Sequence, residues 1–516
     1  MSTELHLKAE KYSQSVTIDM LPDDVLLEIF GICLCDPTSL PLEQTKQWQR
    51  LVHVCRRWRQ ITFSSPRRLD LRLSCSYEIP VRVKKNLNFW PLTMPLTINY
   101  PLRSLLPSPI DKVNIAVALK RSRRVHHIEV FASFTFLRKV VTIMRKSFPA
   151  LTHLELGWDY KGIFEDVPVL PKGFLNESAP CLQYLCLESF LFPEVPMFLQ
   201  SSHNLVTLKL QEIFQNNFVS PEAMVECLSG MTRLKTLSIS FHYDDVDAFD
   251  QERIRPDLPT QIILPSLIHF DYDGCSGYLE NLVAQIDTPL LITLEITYHS
   301  DQIQNSHLSR FIGHTENLKS SQFSSVQAYF WRPDDDANVI VKLGCPQGKC
   351  PQASLSISSP GKEYLDLQVT DTSTFLVQLD TTFSNVNHLF VNGNCVDSSS
   401  DGDTDPELLS FFRLFPAVKE LRLSGGVGEE IVSALEGTTE EMITEILPAL
   451  HVIWLDDENE DYEEEDYNEQ MELGPMDLRQ FHSLRQRSGH PVTIVDTQEE
   501  FEEALESHRI GQENVP

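Results

Sequence analysis

Residue types that do chemistry are present in this chain, but their spacing seldom lets them work together. "CPQGKC" sets Cys345 and Cys350 near each other. A tetrahedral metal site needs two further ligands at matching spacing, and none accompanies the pair, so these read as plain cysteines. His126 and His127 are adjacent in "VHHIEV"; on a strand their side chains point to opposite faces and do not converge on one ion. "GGVGEE", from Gly425, lacks the lysine and the Ser or Thr of a phosphate-cradling loop. No G-x-S-x-G elbow and no H-E-x-x-H occurs. The expectation is a protein that is not an enzyme, needs no cofactor or metal, and serves catalysis, if at all, by bringing two proteins together.

Charge narrows the class of partner. The 516 residues carry a formal net charge of -30, against wholesale nucleic-acid binding, which needs basic surface. One stretch departs from that balance. Between Asp111 and Lys146, nine basic residues (Lys112, Lys120, Arg121, Arg123, Arg124, Arg138, Lys139, Arg145 and Lys146) outnumber Asp111 and Glu129. It reads as the solvated outer face of helices, or as a patch for an acidic partner. The opposite extreme is "DDENEDYEEEDYNEQME", residues 456–472, too charged to fold by itself.

The cysteines are scattered, and Cys55, Cys186 and Cys227 occupy apolar positions, as expected of reduced buried thiols in a cytoplasmic or nuclear protein. No apolar run is long enough to cross a membrane, and the first twenty residues lack a signal-peptide core.

The elements that would position a binding surface show up as a repeat. An apolar–x–x–apolar–x–apolar hexad starts at Val125, Leu151, Leu182, Leu205, Leu234, Leu267, Leu291, Val386, Val418 and Leu450. Neighbouring copies lie 23 to 33 residues apart, with damaged copies near Leu318 and Leu355 expected to fill the one long gap. The alternating end of each hexad makes a short strand, and the spacing leaves room for a crossover between parallel strands. Two crossovers carry helix starts: Ser220–Pro221, with Met224 and Leu228 inward, and Asp405–Pro406. A last unit, "MDLRQFHSLRQRSGHPVTIV", should be a helix ending at Gly489 and then a strand.

Ahead of the repeats, residues 21–66 form a compact apolar stretch, "LPDDVLLEIFGICLCDPTSLPLEQTKQWQRLVHVCRRWRQITFSSP". Pro22, Asp23 and Asp24 suit a helix start, and Val25, Leu26, Ile29, Phe30 and Cys33 recur at helical spacing. A second helix is expected from about Gln44, with Trp48, Leu51, Cys55 and Trp58 inward and Arg56, Arg57 and Arg59 outward, stopped by Pro66. Helices this short cannot enclose all their apolar surface.

The order "LPDDVLLEIF", loop, "LVHVCRRWRQI", "SP" resembles the F-box, a helical module that docks onto the Skp adaptor of SCF-type ubiquitin ligases. The hexads resemble degenerate leucine-rich repeats, as in F-box proteins abundant in mushroom-forming fungi. The inter-helix segment, residues 36–43, is longer than that family's, and Arg67 and Arg68 stand where it often has leucine and tryptophan. The resemblance implies an α/β fold: a small N-terminal helical F-box module followed by a curved leucine-rich-repeat-like solenoid. It assigns Leu21, Pro22, Leu26, Ile29, Phe30, Leu51, Val54, Cys55 and Trp58 to adaptor contact or module core, without dividing the two roles. The expected organisation is a disordered tail (1–20), the module (21–66), a solenoid (67–455), an acidic disordered loop (456–472), a last unit (473–505) and a frayed tail (506–516). The implied function is substrate recognition for a Skp–cullin–F-box ligase, the solenoid holding a target the sequence does not name. The alternative is a non-ligase scaffold whose first helices only cap the solenoid, as repeat arrays require.

Overall fold

The computed structural model describes residues 17–34, 41–66, 73–74, 80–100, 109–158, 167–191, 197–214, 219–242, 261–298, 306–319, 323–330, 338–344, 354–360, 365–379, 383–393, 406–440, 442–456 and 478–495. The chain divides into two compact units, residues 1–166 with 171–182 and residues 167–170 with 183–516.

Among the described residues the first unit begins with the helices α1 (Asp23–Leu34), α2 (Pro41–Val54) and α3 (Arg56–Ser64). Strands and helices then alternate: β1 (Leu73–Ser74), α4 (Pro80–Phe89), β2 (Leu96–Tyr100), α5 (Pro109–Leu119), β3 (Val125–Phe131), α6 (Phe134–Ile143) and β4 (His153–Gly157). The four strands pair in sequence order and all parallel. Val125, Ile128 and Val130 of the hexad are fully buried, as are Leu151, Leu154 and Leu156 of the next. Each hexad therefore does two jobs: its last two apolar residues line the inner face of a strand, and its first plugs the turn before it. At β3 the register steps between Leu96 and Thr97, which face Val125 and His127, so His126 is an extra residue in the ladder. The basic stretch is not all surface. Arg124 is buried and donates to the carbonyls of Met94 and Leu87 at 3.0 and 3.1 Å, tying two turns together.

In the second unit every remaining hexad is a strand: β5 (Tyr184–Glu188), β6 (Thr207–Ile213), β7 (Thr236–Phe241), then, past the two-residue β8 (Ile262–Ile263), β9 (His269–Gly274). Beyond the short β10 (Ile286–Asp287) come β11 (Thr293–Tyr298), β12 (Ser325–Phe330), β13 (Asn338–Gly344), β14 (Ser354–Pro360), β15 (His388–Gly393), β16 (Glu420–Ser424), β17 (Val452–Asp456) and β18 (Thr493–Val495). From β5 to β11 the main sheet keeps chain order, with β8 and β10 paired apart from it. The long gap between hexads breaks the pattern. There the sheet runs β11–β14–β13–β12–β15, with β13 antiparallel to both its neighbours. The damaged copy near Leu355 is β14; the one expected near Leu318 is β12, whose apolar triplet is Phe323, Val326 and Ala328. A simple succession of parallel strands does not describe this stretch, because the antiparallel β13 lets β14 return beside β11.

Helices α7 (Met197–Gln200), α8 (Pro221–Leu228), α9 (Ser276–Val283), α10 (Ser306–His314), α11 (Leu365–Leu379), α12 (Pro406–Arg413), α13 (Gly425–Glu436) and α14 (Arg479–Arg487) connect the strands. α8 begins as its sequence indicates: Ser220 Oγ accepts from the Ala223 amide, Pro221 opens the helix, and Met224 and Leu228 are buried. α12 starts at Pro406, whereas Asp405 lies outside the described residues. "GGVGEE" is the first turn and a half of α13, where Gly425 at φ +71 turns the chain from strand to helix. Two carboxylates act as caps across helices. Buried Glu280 of α9 accepts from the amides of His307 and Leu308 at 2.7 and 2.8 Å and from Ser306 Oγ at 3.2 Å. Glu436 of α13 accepts from the amides of Gln480 and Phe481 at the start of α14. Such contacts satisfy orphan amides that the helices cannot pair themselves. α14 is followed by Gly489 at φ +79 and then β18, as expected, and buried Arg485 donates to the carbonyls of Ile443 and Leu450; burial pushes its pKa down to about 10.

Gly393 leaves no room for a side chain. A Cβ at Gly393 would lie 1.7 Å from the carbonyl oxygen of Phe330, in the strand beside it. Backbone cannot yield there as a side-chain tip can. Gly393→Ala should cost about 2 kcal/mol and free the end of β15, seen as faster amide exchange at Val391 and Asn392.

The acidic run beyond Asp456, the Cys345–Cys350 pair and the tail from residue 506 all lie outside the described residues. Near the other end, the tail expected to run to residue 20 already contains a 3₁₀ turn over Ile18–Met20.

Candidate partner-docking face

The first unit's three N-terminal helices are held by few but specific contacts. Asp23 and Asp24 occupy the first turn of α1, where carboxylates complement the positive helix end. Arg57 of α3 reaches back to that end: its Nη2 donates to Asp23 Oδ1 at 2.7 Å and to the Leu21 carbonyl at 2.6 Å, and its Nε to Asp23 Oδ1 at 3.1 Å. So exposed a pair adds little stability by charge alone, but the carbonyl contact fixes how Leu21–Pro22 enters the helix.

The sequence suggests one helix from about Gln44; the structure has two, and the boundary is Cys55. Its backbone is extended, at φ -153 and ψ 174, and its thiol caps α3 by accepting from the Trp58 amide at 3.4 Å. Arg59 Nε donates to the Val52 carbonyl at 2.9 Å, occupying an acceptor the end of α2 leaves open. The break re-aims the inward face. Trp48 and Val52 are buried, whereas Leu51, Cys55 and Trp58 are half-buried. The inner face read as Trp48, Leu51, Cys55 and Trp58 is thus corrected, because a helix interrupted at Cys55 does not continue one stripe through it. The stop at Pro66 fits: α3 ends at Ser64 and Pro66 is buried.

Aromatic contacts close the interior. Phe30 packs on Trp58 with centroids 4.6 Å apart. Trp48 meets Trp90, just beyond α4, edge-on at 5.1 Å, and Phe63 lies 6.4 Å from Trp48 and 5.7 Å from Trp90. The inner side of α2 and α3 is therefore sealed by the unit's own chain, a role for Trp90 that sequence spacing did not reveal.

The other side of α1 is not sealed. At about 100° per residue, Leu26, Leu27 and Phe30 make one stripe, and all three are buried. Val25, Ile29, Ile32 and Cys33 make a second, offset by roughly a third of a turn. Val25 is 41% and Ile32 76% exposed, Cys33 is exposed and Ile29 half-buried. Ile18 and Met20 extend this surface at 45% and 62% exposure. A helix apolar on two faces belongs between two packed surfaces, and unit 1 supplies one of them to these residues.

The nine residues assigned to contact or core now sort by exposure. Leu26 and Phe30 are buried; Leu21, Ile29, Leu51, Cys55 and Trp58 are half-buried; Pro22 and Val54 are exposed. Ile18, Met20, Val25 and Ile32 were not among the nine, although the position of Val25 and Ile32 on α1 was readable from helical spacing. The histidines of β3 obey another logic: His127 stacks on His153 of β4 at 4.0 Å. Among the described residues no group of three or more His, Cys, Asp or Glu side chains could hold a metal ion, and no described helix is long and apolar enough to cross a membrane. The described cysteines Cys33, Cys55, Cys181, Cys186, Cys227 and Cys275 are not joined in disulfides, and burial pushes the pKa of the Cys227 thiol up to about 12.

No curated protein matches the chain. The F-box-like family model matches residues 18–72, the stretch that contains α1, α2, α3 and the open apolar stripe, and this stretch is an F-box-like domain.

Proposed function

We propose that this protein is the substrate-recognition subunit of an SCF-type ubiquitin ligase, its F-box-like domain holding the Skp adaptor and its strand-rich remainder holding a target. The observation that carries the reading is the unsealed stripe Val25–Ile29–Ile32–Cys33 within the family match. An adaptor laid against it supplies the missing apolar wall. Leu21, Pro22, Val54 and the half-buried members of the nine then rim the contact, while Leu26 and Phe30 act as core. The parallel strands rising from hexads support reading the remainder as degenerate leucine-rich repeats, a solenoid of the kind found in F-box proteins of mushroom-forming fungi. In this role the chain catalyses nothing itself and needs no cofactor; it raises the concentration of target lysines near the charged ubiquitin carrier, in cytoplasm or nucleus.

The scaffold alternative draws on one observation: Trp48 and Phe63 pack on Trp90, so the helices do cap the strands and helices of the first unit. Capping uses the inner side and leaves the α1 stripe unexplained. Affinity purification of the intact chain beside a Leu21→Ala, Pro22→Ala double variant separates the readings. Adaptor and cullin should accompany the intact chain and be lost from the variant, while target proteins stay with both. An intact chain that brings down no adaptor contradicts the ligase role and leaves the cap.

A further inference from the structure

The adaptor face does not account for every exposed apolar side chain of the first unit. Phe89 closes α4 and Leu92 sits in the turn that follows, 72% and 74% exposed. That turn is held in place: buried Arg124 donates to the carbonyls of Leu87 and Met94, on either side of it. The Phe89 ring stands edge-on to Trp90 with centroids 5.0 Å apart, so it carries the aromatic cluster of Trp48, Phe63 and Trp90 out to the surface. Cations flank the pair on two sides. Lys85 lies one helical turn before Phe89, with Lys84 next to it, and Lys120 and Arg123 stand in the turn between α5 and β3. All four are exposed and pair with no described residue. Arg121, in the same turn, donates one N–H to Asn88 Oδ1 at 3.1 Å, which fixes that turn beside the end of α4.

We propose that this rim takes an acidic segment of the target protein, one with bulky apolar side chains set between carboxylates. The inference rests on the target-binding half of the proposed function. Charge says what kind of segment fits. From Pro80 to Thr152 the sequence sets thirteen Lys and Arg against only Asp111 and Glu129, in a chain of formal net charge -30. Neither acid sits at the rim. Asp111 is nine residues along α5 from Lys120, about 14 Å at the usual helical rise. Glu129 is four strand residues past Val125, about 13 Å, and accepts from Asn99 Nδ2 at 2.7 Å. Both distances exceed the screening length of about 8 Å at physiological salt. Cations after a helix C-terminus are ordinary, because they complement its negative end, and Lys120 and Arg121 alone would carry no more than that. Phe89 and Leu92 have no such reason to face water, and exposed apolar surface rimmed by charge marks an interaction site. Leu92 offers no ring on which a base could stack, so protein side chains fit better than nucleic acid. Arg121 and Arg124 already fix the turns, so binding has little ordering to impose.

The test uses the full chain and fluorescein-labelled peptides followed by anisotropy at physiological salt. Asp-Glu-Phe-Asp-Leu-Glu-Asp should bind about tenfold more tightly than either control. One control, Asn-Gln-Phe-Asn-Leu-Gln-Asn, lacks the charge; the other, Asp-Glu-Ser-Asp-Ser-Glu-Asp, lacks the apolar pair. Phe89→Ser with Leu92→Ser should remove the preference over the serine peptide. Lys120→Gln with Arg123→Gln should weaken the acidic apolar peptide about fivefold at an unchanged melting temperature, so a folding defect in the serine variant leaves the test intact. Equal binding of the three peptides, or unchanged binding by the Lys120 and Arg123 variant, overturns the proposal. So does tighter binding of oligouridine or of phosphatidylserine vesicles than of the acidic apolar peptide. Saturating Skp adaptor should leave that peptide bound; displacement assigns the rim to the adaptor and overturns the proposal as well. The peptide arms need no adaptor, so their failure leaves the ligase reading standing, and a chain that binds peptide but no adaptor keeps the rim and loses the ligase.

Discussion

An Ile32→Asp protein should melt at the temperature of the unaltered chain and bind the Skp adaptor at least a hundredfold more weakly. The asymmetry comes from where Ile32 is. At 76% exposure it contributes almost nothing to the packing of the first unit, and surface substitutions away from special features change stability by about half a kcal/mol or less. In the proposed complex the same position faces the adaptor's apolar surface. A carboxylate there loses water without gaining a partner, a penalty of about 3 kcal/mol or more, which is over a hundredfold in affinity. Ile32→Ala, which only deletes contact area, should cost about 1 to 2 kcal/mol. Phe30→Ala, two residues away and fully buried against Trp58, should behave in the opposite sense and lower the melting temperature before any adaptor is added. Calorimetric melting and titration on the three variants check all of this.

The largest stability effect is expected in the second unit, at Glu280. Its carboxylate is wholly buried and takes three hydrogen bonds from the first residues of α10. Glu280→Ala strands the buried Leu308 amide and the half-buried His307 amide and removes the acceptor that anchors α10 to α9. Each orphaned donor costs about 1 to 3 kcal/mol, and bonds to a charged acceptor are at the upper end; the sum is about 4 kcal/mol. Glu280→Gln keeps one carbonyl acceptor and should recover part of the loss. Urea unfolding should show the order unaltered, Gln, Ala. A Glu280→Ala protein as stable as its parent would mean that α10 does not depend on this cap.

Much of the strand framework was legible because one physical rule repeats: three apolar residues, each buried, at fixed offsets. Ten hexads became ten strands, and Ser220–Pro221 and Gly489 marked helix ends by familiar chemistry. What escaped notice depends on partners far away in sequence. The β14–β13–β12 arrangement is decided by which edges meet, and no local pattern near Leu318 records it. Cys55 starts a new helix through its own thiol, in a stretch whose apolar spacing continues across the break. Trp90 and Glu280 act on residues 26 or more positions away. At the candidate site, the periodicity of α1 gave the apolar residues but could not tell the sealed stripe from the open one. That division came from the position of α3 and its Trp58.

The central claim is that the open side of α1 is covered by the adaptor. Hydrogen exchange on the full chain, with and without purified Skp adaptor, measures this residue by residue. Slower exchange should be confined to the segment around Ile18–Met20, to α1 and to the Val54 end of α2, at one adaptor per chain. Unchanged exchange along α1 at saturating adaptor, or protection found only elsewhere in the chain, would contradict it.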